Sequence, residues 1–220
     1  MNKIWSEQNK TMQTQLKKEE TFEAGLDTLF ELRNELMSIF LSLKEALPDE
    51  AFAAMPFRNA DGNHSVSIAW SLWHIFRIED IVSHTLISDN DQIFFRGGYQ
   101  KKMHSPIITT ANELDKDQIE EFSKQLDLDG LFAYITEVKE SSERILKGLK
   151  FKDLKQKVSE EAKDKLLALN VVSKHEDSFW LIDYWCGKDI RGLIQMPFSR
   201  HWIMHAEAVL KIKNKVCQKN

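Results

Sequence analysis

The chain of 220 residues is long enough for one large domain or two small ones. It contains only 8 Gly and 4 Pro, and this shortage of turn-forming residues disfavours an all-β sandwich or barrel. With 30 basic and 34 acidic side chains the formal charge is -4, so the broad basic face of a nucleic-acid-binding protein is not expected.

Neither a secretory signal nor a membrane segment is predicted. The opening MNKIWSEQNKTMQTQLKKEE lacks an apolar core, and no stretch approaches the roughly 18 uninterrupted apolar residues of a membrane span. Two cysteines, Cys186 and Cys217, are too few for a disulfide framework. We therefore expect a cytoplasmic protein with no nucleic-acid or membrane partner.

Hydrophobic periodicity predicts two long helices in the first half of the chain. Residues 1–18 are polar and show no clear period, which indicates a flexible N-terminal arm. From Glu19 to Leu47 apolar residues recur at spacings of three and four, so we predict a first helix that Pro48 ends. A second helix, rich in aromatic residues, is predicted to begin with Ser65 as its cap and to run to about Ile87.

Two further long helices are predicted in the second half. One covers 128–149, and the other covers 189–216 with a kink or a new start at Pro197, because proline removes one backbone donor. The shorter features expected here are a loop or short hairpin over 89–110, a short helix over 115–125, a charged helix over 152–170 and a segment without clear period over 171–188.

Four long amphipathic helices predict an all-α fold, an up-and-down four-helix bundle with additional short helices and loop excursions. We expect a single domain over 19–217, preceded by the arm of residues 1–18. In such bundles functional sites are built from side chains of facing helices, so residues with chemistry should point inward.

Three of the seven histidines are predicted to lie on buried helix faces. His201 and His205 are four residues apart, which places their rings about 40° apart on one apolar face. His74 falls in the middle of the apolar stripe of the second helix. Buried imidazoles need partners, so the three are candidate ligands of one divalent metal ion; the alternative is that they are core histidines bonded to carbonyls or hydroxyls. No HExxH motif is present, which disfavours a peptidase.

The order of these motifs resembles the DinB-like superfamily, also called YfiT-like. The resemblance is carried by the tryptophan-rich helix SIAWSLWHIFRIEDIVSH and the later HWIMH, and it covers most of the chain. It implies a four-helix bundle in which His74, His201 and His205 bind one divalent ion, with zinc or nickel suited to the site. Many relatives carry HxGQ at the final histidine, whereas this chain reads HAEA.

The resemblance also implies an activity, a metal-dependent transfer of a low-molecular-weight thiol, such as bacillithiol or mycothiol, to a small electrophile. Three neutral imidazoles with an open fourth position suit this chemistry, because a divalent ion makes bound thiolate or water nucleophilic at neutral pH. The alternative is a stress-associated module that binds a metal or ligand without catalysis. A homodimer is expected from the resemblance, and no catalytic side chain is assigned.

Arg77 is a further candidate. It lies about 60° from His74 and one turn along the helix, so its guanidinium is expected at the mouth of the site to hold a carboxylate or phosphate of a substrate; a solvated or structurally paired arginine is the alternative. Glu79 and Asp80 point away from His74 and are expected at the surface or behind the ligands. His84 is too distant for the same ion and is expected at the surface or as a base at the site edge.

Overall fold

The computed structural model describes residues 2–218. Helices dominate this part of the chain, which contains no β-strand and a single isolated antiparallel bridge between Lys157 and Asp189. The predicted all-α class is therefore confirmed. Within the same residues, no helix combines the length and the apolar character that crossing a membrane requires.

The helices begin and end as follows. In chain order they are α1 (Lys3–Gln15), α2 (Phe22–Ala46), α3 (Asp49–Ala53), α4 (Ile68–Asp80), α5 (Ile93–Arg96), α6 (Tyr99–Lys102), α7 (Lys116–Gln125), α8 (Leu128–Lys147), α9 (Glu160–Ala168), α10 (Glu176–Cys186), α11 (Ile190–Ile194) and α12 (His201–Cys217). Segments of 3₁₀-helix cover Glu19–Thr21 and Phe151–Lys155, and π-helical segments cover Ile81–Ile87 and Met196–Arg200.

Four long helices, α2, α4, α8 and α12, contact one another in the middle of the molecule. α4 packs against α8 and α12, and α2 also packs against both of these helices. Every residue of α4, from Ile68 to Asp80, is buried. α4 is therefore the innermost helix, and its side chains have protein on all sides.

The N-terminus of α4 is fixed by Ser67 and not by Ser65. The Ser67 hydroxyl oxygen accepts a hydrogen bond from the backbone N–H of Trp70 at 3.0 Å, which pairs one of the free donors of the first turn. At its other end α4 continues directly into the π-helical segment Ile81–Ile87. The long second helix predicted from the sequence is thus present, with its cap two residues later than expected.

The flexible arm expected over 1–18 is in fact mostly helix, since α1 spans Lys3–Gln15 and packs along α2; Met1 lies outside the described residues. Trp5, Met12 and Leu16 are buried, and the Trp5 indole N–H donates to Glu35 at 2.7 Å. The spacing of these three residues is helical. The polar residues between them conceal that stripe in the sequence.

Residues 89–110 contain α5 and α6, so the hairpin alternative is wrong. α5 begins where the Asp80 carboxylate accepts hydrogen bonds from the backbone N–H groups of Ile93 and Phe94, at 2.8 and 2.9 Å. Gly98, in the left-handed conformation with φ of 63°, separates the two short helices. The start of α5 is therefore set by Asp80, a buried residue that is distant in sequence. A local sequence pattern cannot reveal such a contact.

The remaining C-terminal predictions are partly confirmed. The charged helix expected over 152–170 is divided, because Phe151–Lys155 forms a 3₁₀ segment and α9 begins only at Glu160. The unassigned segment 171–188 contains α10. Pro197 lies in the π-helical segment between α11 and α12, in agreement with the predicted interruption of the last helix.

A buried ion pair joins the four long helices. Arg33 of α2 and Glu79 of α4 are both fully buried and form a bidentate pair with N–O distances of 2.7 and 2.9 Å. Glu79 also accepts hydrogen bonds from the Ser142 hydroxyl of α8 at 2.5 Å and from the Trp202 indole N–H of α12 at 2.7 Å. One carboxylate thus contacts a polar group from each of the other three helices.

We predict that Glu79→Gln lowers the free energy of unfolding by about 3–5 kcal/mol, because it removes the bidentate carboxylate partner of the buried Arg33 charge and leaves it only the single carboxylate contact of its Nε with Glu143 at 3.1 Å. Urea unfolding followed by circular dichroism measures the loss. The control is the same carboxylate-to-amide change at an exposed ion pair, Asp129→Asn beside Lys44, where we expect less than about 1 kcal/mol. Equal losses in the two variants would contradict a structural role for the buried pair.

Candidate metal centre

Three histidines from α4 and α12 converge in the interior. His74, His201 and His205 each place a ring nitrogen within 4.8 Å of the others. Their ring centroids are separated by 4.9 Å (His74 to His201), 5.1 Å (His74 to His205) and 4.6 Å (His201 to His205). The structure therefore brings together the three residues chosen from the sequence, in an arrangement that can hold a metal ion.

The ring of His74 is held by two neighbours. Its Nδ1 lies 2.8 Å from the carbonyl oxygen of Thr110. Since a carbonyl only accepts, Nδ1 carries the proton, and the lone pair of the neutral ring is on Nε2. Trp70 stacks on the same ring, with centroids 4.4 Å apart and planes at 13°. These contacts leave Nε2 as the nitrogen of His74 that can bind a metal.

The other two rings leave polar atoms unpaired. The Nδ1 atoms of His201 and His205 are buried and make no hydrogen bond. Burying an imidazole without partners is unfavourable. A cation bound between the rings would give each of them a partner, and three imidazoles are a donor set that zinc and nickel accept. The residues present thus fit a divalent metal ion.

Burial keeps the three imidazoles neutral. It lowers the pKa of His74 to about 4. Burial, followed by repulsion from the neighbouring rings, lowers the pKa of His201 and His205 well below the usual value. All three rings are therefore neutral at neutral pH, with one nitrogen of each free of a proton, which is the state that metal binding requires.

We predict that the metal-free protein loses stability as the pH falls below about 6.5, the usual histidine pKa. Below that pH the histidines of the unfolded chain bind protons, whereas the buried histidines of the folded protein remain neutral, so protonation favours unfolding. The effect ends where the folded rings themselves bind protons, near pH 4 for His74. Each histidine contributes a slope of up to about 1.4 kcal/mol per pH unit. Urea unfolding between pH 7 and 5 measures the total.

The contribution of one ring is isolated by His74→Asn, which we expect to reduce the slope by about 1.4 kcal/mol per pH unit. The control is His175→Ala, because His175 is exposed and outside the centre. If His74→Asn leaves the slope of the wild type unchanged, neutral burial of His74 is not a source of the acid sensitivity.

Arg77 does not lie at the mouth of the site. It is fully buried, its Nε–H donates to the carbonyl of Ile108 at 2.9 Å, and its guanidinium carbon lies 4.4 Å from the ring centre of Phe94. One terminal nitrogen is 3.6 Å from the Asp80 carboxylate. The structure therefore does not place Arg77 as a substrate contact. These contacts agree with the alternative, a structurally paired arginine.

The surface position, one of the two alternatives for each of Glu79, Asp80 and His84, is wrong, because all three residues are buried. His84 Nδ1 lies 2.9 Å from the Asp80 carboxylate, and its Nε2 lies 2.9 Å from the Ser141 hydroxyl. Burial raises the pKa of Asp80, but hydrogen bonds and the nearby Arg77 charge outweigh it and lower that pKa. The missed signal was the apolar character of α4 on every face, which leaves no solvated side for charged residues.

Comparison with known proteins adds no relative, since no protein-family model matches the chain and no curated protein is significantly similar to it.

Proposed function

We propose that this protein binds one divalent metal ion, zinc or nickel, through His74, His201 and His205. The observation that carries the proposal is the convergence of three buried imidazoles within 4.8 Å. Their low pKa values keep the donor nitrogens unprotonated at neutral pH. Because buried polar rings without partners destabilise a core, a bound ion gives a physical reason for their clustering.

We further propose that α2, α4, α8 and α12 form the up-and-down bundle of a DinB-like protein, with the ion between α4 and α12. The pairwise packing of these helices and the two histidines on α12 support this. The unpaired thiols of Cys186 and Cys217 are compatible with a reducing cytoplasm. A homodimer belongs to the same proposal, for which Phe179 and Trp180 offer exposed apolar surface.

The activity we propose is a metal-dependent transfer of a low-molecular-weight thiol to a small electrophile. Among residues 2–218, no fourth histidine, cysteine, aspartate or glutamate joins the three ligands. Catalytic zinc sites keep such an open position, where the ion holds water or thiolate in a nucleophilic form. The three histidines keep the donor set neutral, and Trp70 stacks on the ring of His74.

A non-catalytic metal- or ligand-binding module is the second candidate. The observation that favours it is burial, since His74, His201 and His205 are only 5%, 6% and 4% exposed. Limited access is typical of metals that stabilise a fold and not of metals that must meet a bulky substrate. The two candidates differ in whether a water molecule on the ion exchanges with solvent.

We predict that His74→Ala, His201→Ala and His205→Ala each abolish stoichiometric metal binding, because two imidazoles retain neither the affinity nor the geometry of three. Elemental analysis of untagged protein purified at pH 7.5 measures the metal content. The exposed control His175→Ala should retain the ion, and so should His84→Ala, although the loss of its buried contacts lowers stability. Full occupancy in all three ligand variants would remove the proposed centre.

For the loaded wild type, we expect a chelator at pH 7.5 to lower the melting temperature, because an ion at about 1,000 times its Kd stabilises the fold by about 4 kcal/mol.

We also expect free thiol to be lost when the loaded protein is mixed with an aryl halide and glutathione or bacillithiol. The rate of this loss should depend on the metal, and His205→Ala should show no such reaction. A stable metal without exchangeable water and without turnover would instead support the binding module.

A further inference from the structure

Residues 108–111, which we call the strap, run along α4 and are bonded to it by side chains. Four consecutive carbonyls of the strap accept hydrogen bonds from four side chains of α4, so the two segments run in opposite directions. The bonds are Trp70 Nε1 to Ala111 at 3.1 Å, His74 Nδ1 to Thr110 at 2.8 Å, Trp73 Nε1 to Thr109 at 3.1 Å and Arg77 Nε to Ile108 at 2.9 Å.

The strap has no secondary structure of its own. It lies between α6 and α7, and no backbone group within residues 2–218 is hydrogen-bonded to the backbone of 108–111. Thr110 and Ala111 are nevertheless fully buried, and Ala111 adopts a positive φ of 63°. Buried carbonyls must be paired, and here the side chains of α4 are what pair them.

The hydrogen bond of His74 has an effect that the other three lack. The bonds from Trp70, Trp73 and Arg77 only hold the strap in place. The bond between His74 and the Thr110 carbonyl also determines which nitrogen of the His74 ring carries the proton. Arg77 is suited to the holding role. Its planar guanidinium lies over the ring of Phe94 with one terminal nitrogen 3.6 Å from the Asp80 carboxylate, and Nε is the guanidinium nitrogen that donates a hydrogen bond, to the carbonyl of Ile108.

We propose that Arg77 is a positioning residue of the metal centre, which acts on His74 through the strap. By holding the Ile108 carbonyl it keeps the Thr110 carbonyl against Nδ1 of His74, and this leaves Nε2 unprotonated and correctly oriented. The consequence for metal binding rests on the function proposed above. Loss of such an outer partner typically weakens metal affinity 10–100-fold.

The first test uses metal-free protein and nitrogen-15 NMR of the histidine rings at pH 7.5. In the wild type we expect His74 as a single tautomer with a slowly exchanging Nδ1 proton. Arg77→Lys keeps the charge beside Asp80 but loses the Nε donor, so we expect a mixture of tautomers and faster exchange. The matched control is Arg33→Lys, the same change at a fully buried arginine that does not contact the strap.

Trp73→Phe is the second variant, in case Arg77→Lys does not fold. It keeps an aromatic ring against Phe94 and Phe122, although a smaller one, and removes the donor to the Thr109 carbonyl, so it should perturb the His74 tautomer in the same direction. An unchanged His74 signal in the folded variants overturns the proposal, as does an equal change in Arg33→Lys.

The second test measures the Kd for Co²⁺ from its visible absorption. We expect Arg77→Lys to raise the Kd of the wild type 10–100-fold, and to cause a smaller increase in the background of Trp73→Phe, where the strap has already lost one of its hydrogen bonds to α4. An equal increase in both backgrounds indicates a general structural effect and overturns the proposal. If the wild type binds no metal, the proposed function fails, but the tautomer measurement still decides the role of Arg77.

Discussion

Every side chain of α4 is buried, and each polar group on this helix therefore needs a partner inside the protein. The partners come from all directions. Arg33 of α2 pairs with Glu79, and Ser141 of α8 lies beside His84 just beyond the end of α4. The strap accepts hydrogen bonds from four further side chains of α4, those of Trp70, Trp73, His74 and Arg77. The polar residues of one helix thus determine which segments surround it, and their burial explains why charged groups occur in this core.

The pair between Arg33 and Glu79 is better understood as a source of specificity than of stability, because a buried ion pair recovers little more than its desolvation cost. Glu79 also accepts a hydrogen bond from Trp202, which follows His201 directly in α12. A rotation of α12 that turned its histidines away from His74 would break this hydrogen bond, so Glu79 helps to align the two helices that carry the three histidines.

The sequence predicts the long helices well, because periodicity over many residues is a strong signal, and the spacing of His201 and His205 places them on an inner face. It fails where structure depends on distant contacts. The helix α5 has only four residues, and its start is set by Asp80. The angle between a residue and His74 does not reveal the burial of Arg77 and His84, because α4 is buried on every face and so is the π-helical segment that follows it as far as Leu86.

The three histidines are held by two kinds of segment, regular helices and the irregular strap. His201 and His205 are fixed by one helix, and their spacing cannot change without unwinding α12. His74 depends in addition on the strap, whose backbone is hydrogen-bonded to no other backbone group within residues 2–218. The three histidines have no fourth candidate ligand beside them among the described residues, and their rings are barely exposed, so the proposed ion would accept a fourth ligand only if that ligand were small or displaced covering residues. The strap is held to α4 by side chains alone, so the orientation of His74 depends on a segment that no regular secondary structure supports.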